Sequence, residues 1–204
     1  MNQPASKLRA QWRANLGYRQ LFDREAGWPC IVRNVPMQCC IDESLTGKAE
    51  SVIRRLRKSG STVVTAESCT GGLVAACLTH GKEASACFQG SFVVYTKQQK
   101  NQALGVSEEL LREAGAVNSE VAIEMAEGAL HRSRASLSIA VTGVLGPDPD
   151  EDDNPPGVVY LALARRGQPT LVARHDFSPA PPDSVRQQTV LVALELLERA
   201  AGPS

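Results

Sequence analysis

The sequence predicts a layered α/β/α sandwich built around a mixed, mainly parallel β-sheet. Three observations carry that expectation. Short apolar, β-branched runs alternate with helical periodicities along most of the chain, the pattern of folds whose helices cover a sheet. Two of those runs, Leu137 to Thr142 (LSIAVT) and Gly157 to Ala164 (GVVYLALA), are apolar enough to be central strands buried on both faces. Thr170 to Phe177 then follows across Arg165-Arg166-Gly167, a spacing that makes it an antiparallel hairpin partner.

In chain order, residues 1–44 carry Trp12, Phe22 and Trp28 among many charges without a two-residue or 3.6-residue apolar period, and read as an N-terminal extension to a domain spanning 45–204. A helix is predicted from Leu45 to about Lys58, ending at the turn Ser59-Gly60, and a strand from Thr62 to Ala66. LVAACL, from Leu73, reads as helix and SFVVY, Ser91 to Tyr95, as strand. The polar TKQQKNQ that follows reads as a loop, and Ser107-Glu108-Glu109 as a helix N-cap with acids in the first turn. Asn118 or Ser119 caps a helix whose Val121, Met125 and Ala129 form one apolar face, weakened slightly by Gly128. The last helix starts near Asp183-Ser184 and places Val190, Ala193, Leu194 and Leu197 against the sheet.

Composition narrows the function. In the 204 residues, 22 basic side chains balance 22 acidic ones, so no global field recruits nucleic acid or an anionic membrane, and any charged-ligand site must be local. The only basic cluster, Arg54 to Lys58, reads as the solvated face of a helix. The start lacks an apolar signal core and no run approaches the roughly 18 to 20 residues that span a bilayer, which predicts a soluble, cytoplasmic protein. Six cysteines lack CxxC spacing and a nearby histidine pair, so no metal site is expected.

The segment Thr65-Ala66-Glu67-Ser68-Cys69-Thr70-Gly71-Gly72 lies where a strand ends and a helix begins. That junction suits both a reactive serine and an anion-binding turn, since backbone N–H groups and the positive helix end converge there and glycine lets a ligand approach the main chain. Local spacing fits equally a plain helix cap at Ser68 or Thr70 with a tight turn behind it. A serine nucleophile needs a base. None of His80, His131 and His175 has a partner identifiable from sequence, whereas Lys97 and Lys100 lie just beyond the strand ending at Tyr95, and a buried lysine can be neutral enough to accept the serine proton.

Taken together these blocks resemble the C-terminal domain of the competence/damage-inducible protein CinA, a family whose free-standing members are nicotinamide mononucleotide (NMN) deamidases. The resemblance runs from about Leu45 to Ala200: TAESCTGG (Thr65 to Gly72), YTKQQKNQALGV (Tyr95 to Val106), GAVNSEVAIEMAEGAL (Gly115 to Leu130), TGVLGP (Thr142 to Pro147), PGVVYLALA (Pro156 to Ala164) and VRQQTVLVAL (Val185 to Leu194) occur in that order. It implies a cofactor-free Ser-Lys amidohydrolase converting NMN to nicotinate mononucleotide and ammonia. Ser68 would be the nucleophile, Lys100 the base, and Tyr95 would line or polarise the site. Thr70, Gly71 and Gly72 would contribute main-chain contacts, and Thr142, Gly143 and Arg186 would lie near the phosphate. Lys97 falls where the family does not require lysine and would tune Lys100 by charge repulsion. A homodimer or larger homo-oligomer is implied as well.

Two segments depart from the family pattern. A glycine-rich stretch resembling GIAGPGGG is replaced by GVLGPDPDEDDNPPG, with five acids between Asp148 and Asp153. Such acids beside a phosphate would repel it, so the loop is expected to be an exposed tip pointing away from the site. Before the last helix, Ser178-Pro179-Ala180-Pro181-Pro182-Asp183 stands where the family shows a glycine-aspartate-arginine turn. These changes leave open an amidase for another small amide, and a non-catalytic binding or regulatory module that keeps the fold.

Overall fold

The computed structural model describes residues 41–81 and 83–202. The aromatic residues Trp12, Phe22 and Trp28 of the extension, and Cys30, Cys39 and Cys40, lie outside the described residues.

Helix α1, Glu43–Ser59, is fixed at both ends by its sequence. The Asp42 carboxylate accepts the Leu45 N–H at 2.9 Å, and Gly60 turns left-handed at φ 66° to close the last turn on the Leu56 and Arg57 carbonyls. Its stripe of Leu45, Ala49, Val52, Ile53 and Leu56 is buried. Next come β1 (Val63–Glu67), α2 (Leu73–His80) and β2 (Phe88–Val93). Beyond them lie α3 (Lys97–Gln99), which continues as a single π-helical turn over Lys100–Leu104, and α4 (Glu108–Glu113). The chain closes with α5 (Ser119–His131), β3 (Leu137–Gly143), β4 (Val158–Arg165), β5 (Leu171–Asp176) and α6 (Pro182–Ala200).

The sheet order is β2-β1-β3-β4-β5. Strands β2, β1 and β3 are mutually parallel, β4 is antiparallel to β3, and β5 reverses again, so every strand except β4 points the same way. Alternation along the strands builds two cores. Val63, Leu137, Ile139, Val141, Val159 and Leu161 meet α1, α2 and α6 on one face. Val64 and four alanines, Ala66, Ala140, Ala162 and Ala164, meet Val121, Met125 and Ala129 of α5 on the other, where the small side chains let the helix lie close.

Two local readings shift. The strand predicted at Ser91 to Tyr95 begins instead at Phe88, because β2 is a sheet edge whose exposed Gln89 and Ser91 interrupt the apolar run. The polar TKQQKNQ is helical rather than a loop: the Thr96 hydroxyl caps it by accepting the Gln99 N–H, and Gly105 ends it at φ 78°. Its inward positions are Lys100 and Leu104, and a charged residue at one of two core positions hides the apolar period.

Gly128 is the contact that seats this turn. A Cβ there would fall onto the Leu104 carbonyl oxygen, so the absent side chain lets the π-turn pack on α5. Propensity alone predicts that Gly128→Ala stabilises the helix by about 1 kcal/mol. The packing predicts the opposite: a loss of about 2 kcal/mol or more in denaturant unfolding, from overpacking against backbone that cannot yield.

Candidate active site

The carboxyl ends of β1 and β3 open into a cavity of about 520 Å³, in the position where open α/β sheets commonly bind ligands. Ser68 stands one residue beyond β1 and is 6% exposed. Its N–H donates to Val141 O of β3 at 3.0 Å, which ties the nucleophile to the sheet. Lys100 enters from the π-turn and is 1% exposed. Its Nζ donates to Ser68 Oγ at 2.8 Å, to Val94 O at 3.2 Å and to Tyr95 O at 3.4 Å. Burial of the ammonium pulls its pKa down to about 8. A tetrahedral ammonium has three donors, so the protonated form is satisfied here. The neutral amine, once formed, keeps a lone pair within reach of the Ser68 hydroxyl.

The turn after Ser68 is organised by Glu67, to which the sequence reading gave no role. Glu67 is fully buried at the end of β1. Its Oε2 accepts from Thr70 Oγ1 at 2.8 Å and Val74 N at 3.0 Å, and its Oε1 accepts from Ala75 N at 2.9 Å. The Thr65 and Ser91 hydroxyls lie 3.0 and 3.4 Å from Oε1 and 2.7 Å from each other. Glu67 therefore caps α2 from the preceding strand, replacing the side-chain cap that Gly72 cannot supply. A carboxylate three residues before a Thr-Gly-Gly turn was the available signal.

That cap revises the anion-binding expectation. The first N–H groups of α2 are already occupied by Glu67 and are not offered to a ligand. Thr70, Gly71 and Gly72 do not line the cavity: the Thr70 hydroxyl is committed to Glu67, and Gly71 N donates to Ser68 O at 3.1 Å. Gly71 and Gly72 instead adopt φ of 62° and 93°, which shapes the turn. Among the described residues, the N–H groups of Cys69, Thr70 and Gly72 have no hydrogen-bond partner in another residue.

The other expected residues gather around the dyad. Tyr95, Thr142, Gly143 and Arg186 all line the cavity. Tyr95 contributes its carbonyl to Lys100, while its ring stands 76% exposed at the mouth. Thr142 is buried and donates its hydroxyl to Ala116 O at 2.8 Å. Gly143 is required by close strand packing, since a Cβ would come 2.7 Å from Val158 O. Arg186 has one loose contact, Asp183 Oδ1 at 3.5 Å. None of the three histidines lines the cavity. Cys69 does, but burial pushes its thiol up to about 12, so it is neutral beside Ser68.

Two expectations are overturned. Lys97 does not tune Lys100. It is held by Asp152 Oδ1 at 2.6 Å and Glu151 Oε1 at 3.2 Å, and the Asp152 hydrogen bond holds its pKa above the ordinary lysine value. Nor does the acidic loop point away: Asp148, Asp150, Glu151 and Asp152 form one wall of the dyad's cavity. The loop is pinned there because Asp152 also accepts Ala116 N at 3.0 Å, beside Gly115, where a Cβ would collide with the carboxylate. Asp150 closes the base of the loop by accepting from Asn154 N at 2.8 Å.

With the fold and this geometry in place, comparison with known proteins is decisive. The family model described as "CinA C-terminal domain" matches residues 45–201. The chain belongs to that family. "Nicotinamide-nucleotide amidohydrolase PncC" of Escherichia coli K12 is 40% identical over 156 residues, covering 76% of this chain and 94% of that protein. A "CinA-like protein" of Geobacter sulfurreducens is 44% identical over 149 residues, but this chain spans only 36% of it. Among solved structures, the competence/damage inducible protein CihA of Agrobacterium tumefaciens superposes with a TM-score of 0.75 at 38% identity, covering 79% of this chain and 97% of that one. In this CinA-family chain, no described helix is long and apolar enough to cross a membrane.

Proposed function

We propose that this chain is a Ser-Lys amidohydrolase that converts NMN to nicotinate mononucleotide and ammonia. The observation that carries the reading is the buried 2.8 Å contact between Lys100 Nζ and Ser68 Oγ in a ligand-sized cavity. The similarity to the nicotinamide-nucleotide amidohydrolase named above supplies the substrate.

In this scheme neutral Lys100 takes the Ser68 proton as Oγ attacks the carboxamide carbon. The carbonyl electrons move to oxygen, where the uncommitted N–H group of Cys69, a residue of the cavity lining, is the available main-chain donor for the oxyanion. Collapse of the adduct breaks the C–N bond, and the ammonium form of Lys100 returns its proton to the departing nitrogen, which leaves as ammonia. A water molecule, deprotonated by the same lysine, opens the acyl-serine and regenerates Ser68. Arg186 is the cavity's cation for the phosphate, since its single contact with Asp183 is long.

The purified chain incubated with NMN should release ammonia and nicotinate mononucleotide in equal amounts. Ser68→Ala should lower kcat by at least about 10³-fold, because no other cavity hydroxyl has Lys100 as a partner. Undiminished turnover by that variant would sink the Ser-Lys reading.

A further inference from the structure

The wall that the acidic loop builds changes what the cavity accepts. Four carboxylates, Asp148, Asp150, Glu151 and Asp152, share the lining with two cations besides Lys100, namely Lys97 and Arg186. Lys97 is fully engaged by Glu151 and Asp152, which leaves Arg186 as the cation available to a ligand anion. The acids are walls of the dyad's own site and not a site in themselves. They are held there rather than free to swing out, because Asp152 bridges Lys97 and the Ala116 N–H, and Asp150 binds Asn154.

A nicotinamide nucleotide presents two opposite charges to this wall. The pyridinium ring carries one positive charge on the ring that bears the reacting carboxamide, and the phosphate carries about −1.5 to −2 at neutral pH. Within a 520 Å³ cavity both lie inside the roughly 8 Å Debye length of physiological salt, so neither is more than partly screened from the loop. The carboxylates attract the ring and repel the phosphate, and the repulsion acts on the larger charge.

Resting on the amidohydrolase reading above, we infer that the acidic loop is a specificity determinant that disfavours the phosphate and makes the phosphate-free pyridinium nucleoside, nicotinamide riboside, the preferred ligand over NMN. The chemistry is unchanged, since the reacting carboxamide is the same in both. The selecting residues are Asp148 and Glu151. Both line the cavity, and Glu151 makes only the longer of the two ion pairs of Lys97, 3.2 Å against 2.6 Å to Asp152, whereas Asp150 and Asp152 also accept backbone N–H groups and anchor the loop.

The test separates binding from turnover. Calorimetry on full-length Ser68→Ala protein measures the affinity of NMN and of nicotinamide riboside, with the loop intact and with Asp148→Asn/Glu151→Gln added. Riboside should bind more tightly than NMN to the intact loop. Removing two carboxylates should tighten NMN roughly fivefold, a screened Coulomb effect, and weaken riboside. NMN binding as tightly as riboside or more so, a ratio unmoved by the loop substitutions, or binding of neither ligand would each overturn the inference. Ammonia release by the chain with Ser68 intact is scored separately. Its absence from a ligand that binds would overturn the amidohydrolase reading and leave the charge selection standing.

Discussion

Lys100→Met should lower kcat on NMN by about 10³-fold or more while the protein stays folded, because methionine keeps the buried shape and removes only the amine that accepts the serine proton. In the unsubstituted protein the same amine sets the pH dependence. With a pKa of about 8, only about one molecule in ten carries neutral Lys100 at pH 7, so kcat/KM should climb with pH and level off above 8. Stability should move in the same direction. The folded-state pKa lies below the ordinary lysine value of 10.5, so between about 8 and 10.5 the unfolded chain holds a proton that the folded chain has lost. More protons on the unfolded state mean that stability rises with pH across that window. Below pH 8 both states are protonated, and the cost of the buried charge, on the order of 3 kcal/mol before its hydrogen bonds are counted, is fully present. The variant lacks that cost. Its melting temperature should match or exceed the unsubstituted protein's at pH 7, with the unsubstituted protein gaining on it from pH 8 to 10.5. A flat activity profile across pH 7 to 9 would show that Lys100 is not the base.

How far the sequence could be read depends on where each residue's role resides. Ser68 and Lys100 were legible through the ordered blocks of the family pattern, but their contact was not, since a separation of 32 residues is closed only when the π-turn points Lys100 back under β1. The helices announced themselves where polar caps precede apolar stripes, as at Asn118, which accepts the Val121 N–H at 2.8 Å. The turn at Lys100 stayed silent because its inward residue is charged. The acidic loop misled for a physical reason. Its composition is that of a solvated tip, and its placement depends on Lys97 and Gly115, two distant residues whose joint effect no local pattern displays. Thr70, Gly71 and Gly72 looked like ligand contacts because free helix N–H groups bind anions; that inference failed when the protein's own Glu67 proved to be the anion.

Glu67→Gln should therefore be far more disruptive than its near-identical shape suggests. The carboxylate presents acceptors at both oxygens, and each meets a backbone N–H that cannot rotate away: Val74 at Oε2 and Ala75 at Oε1. A glutamine amide has one acceptor and one NH₂ donor end. In either flip the NH₂ confronts a fixed N–H, leaving at least one buried donor unsatisfied in addition to the lost charge at the start of α2. The combined cost is about 2 to 4 kcal/mol. The hydroxyls of Thr65, Thr70 and Ser91 can rotate to accept from the amide, so they soften this conflict without removing it. Because Glu67 touches neither the cavity nor Lys100, its effect on catalysis must pass through the turn that carries Ser68. Misplacing the nucleophile by a fraction of an ångström should cost about tenfold to a hundredfold in kcat with KM nearly unchanged, and the pH at which activity half-rises should stay near that of the unsubstituted protein. Thermal unfolding and steady-state kinetics across pH 6.5 to 9.5 measure both. A shifted pH profile would mean that Glu67 acts on the charge of Lys100; an unchanged melting temperature would mean that the α2 cap is dispensable.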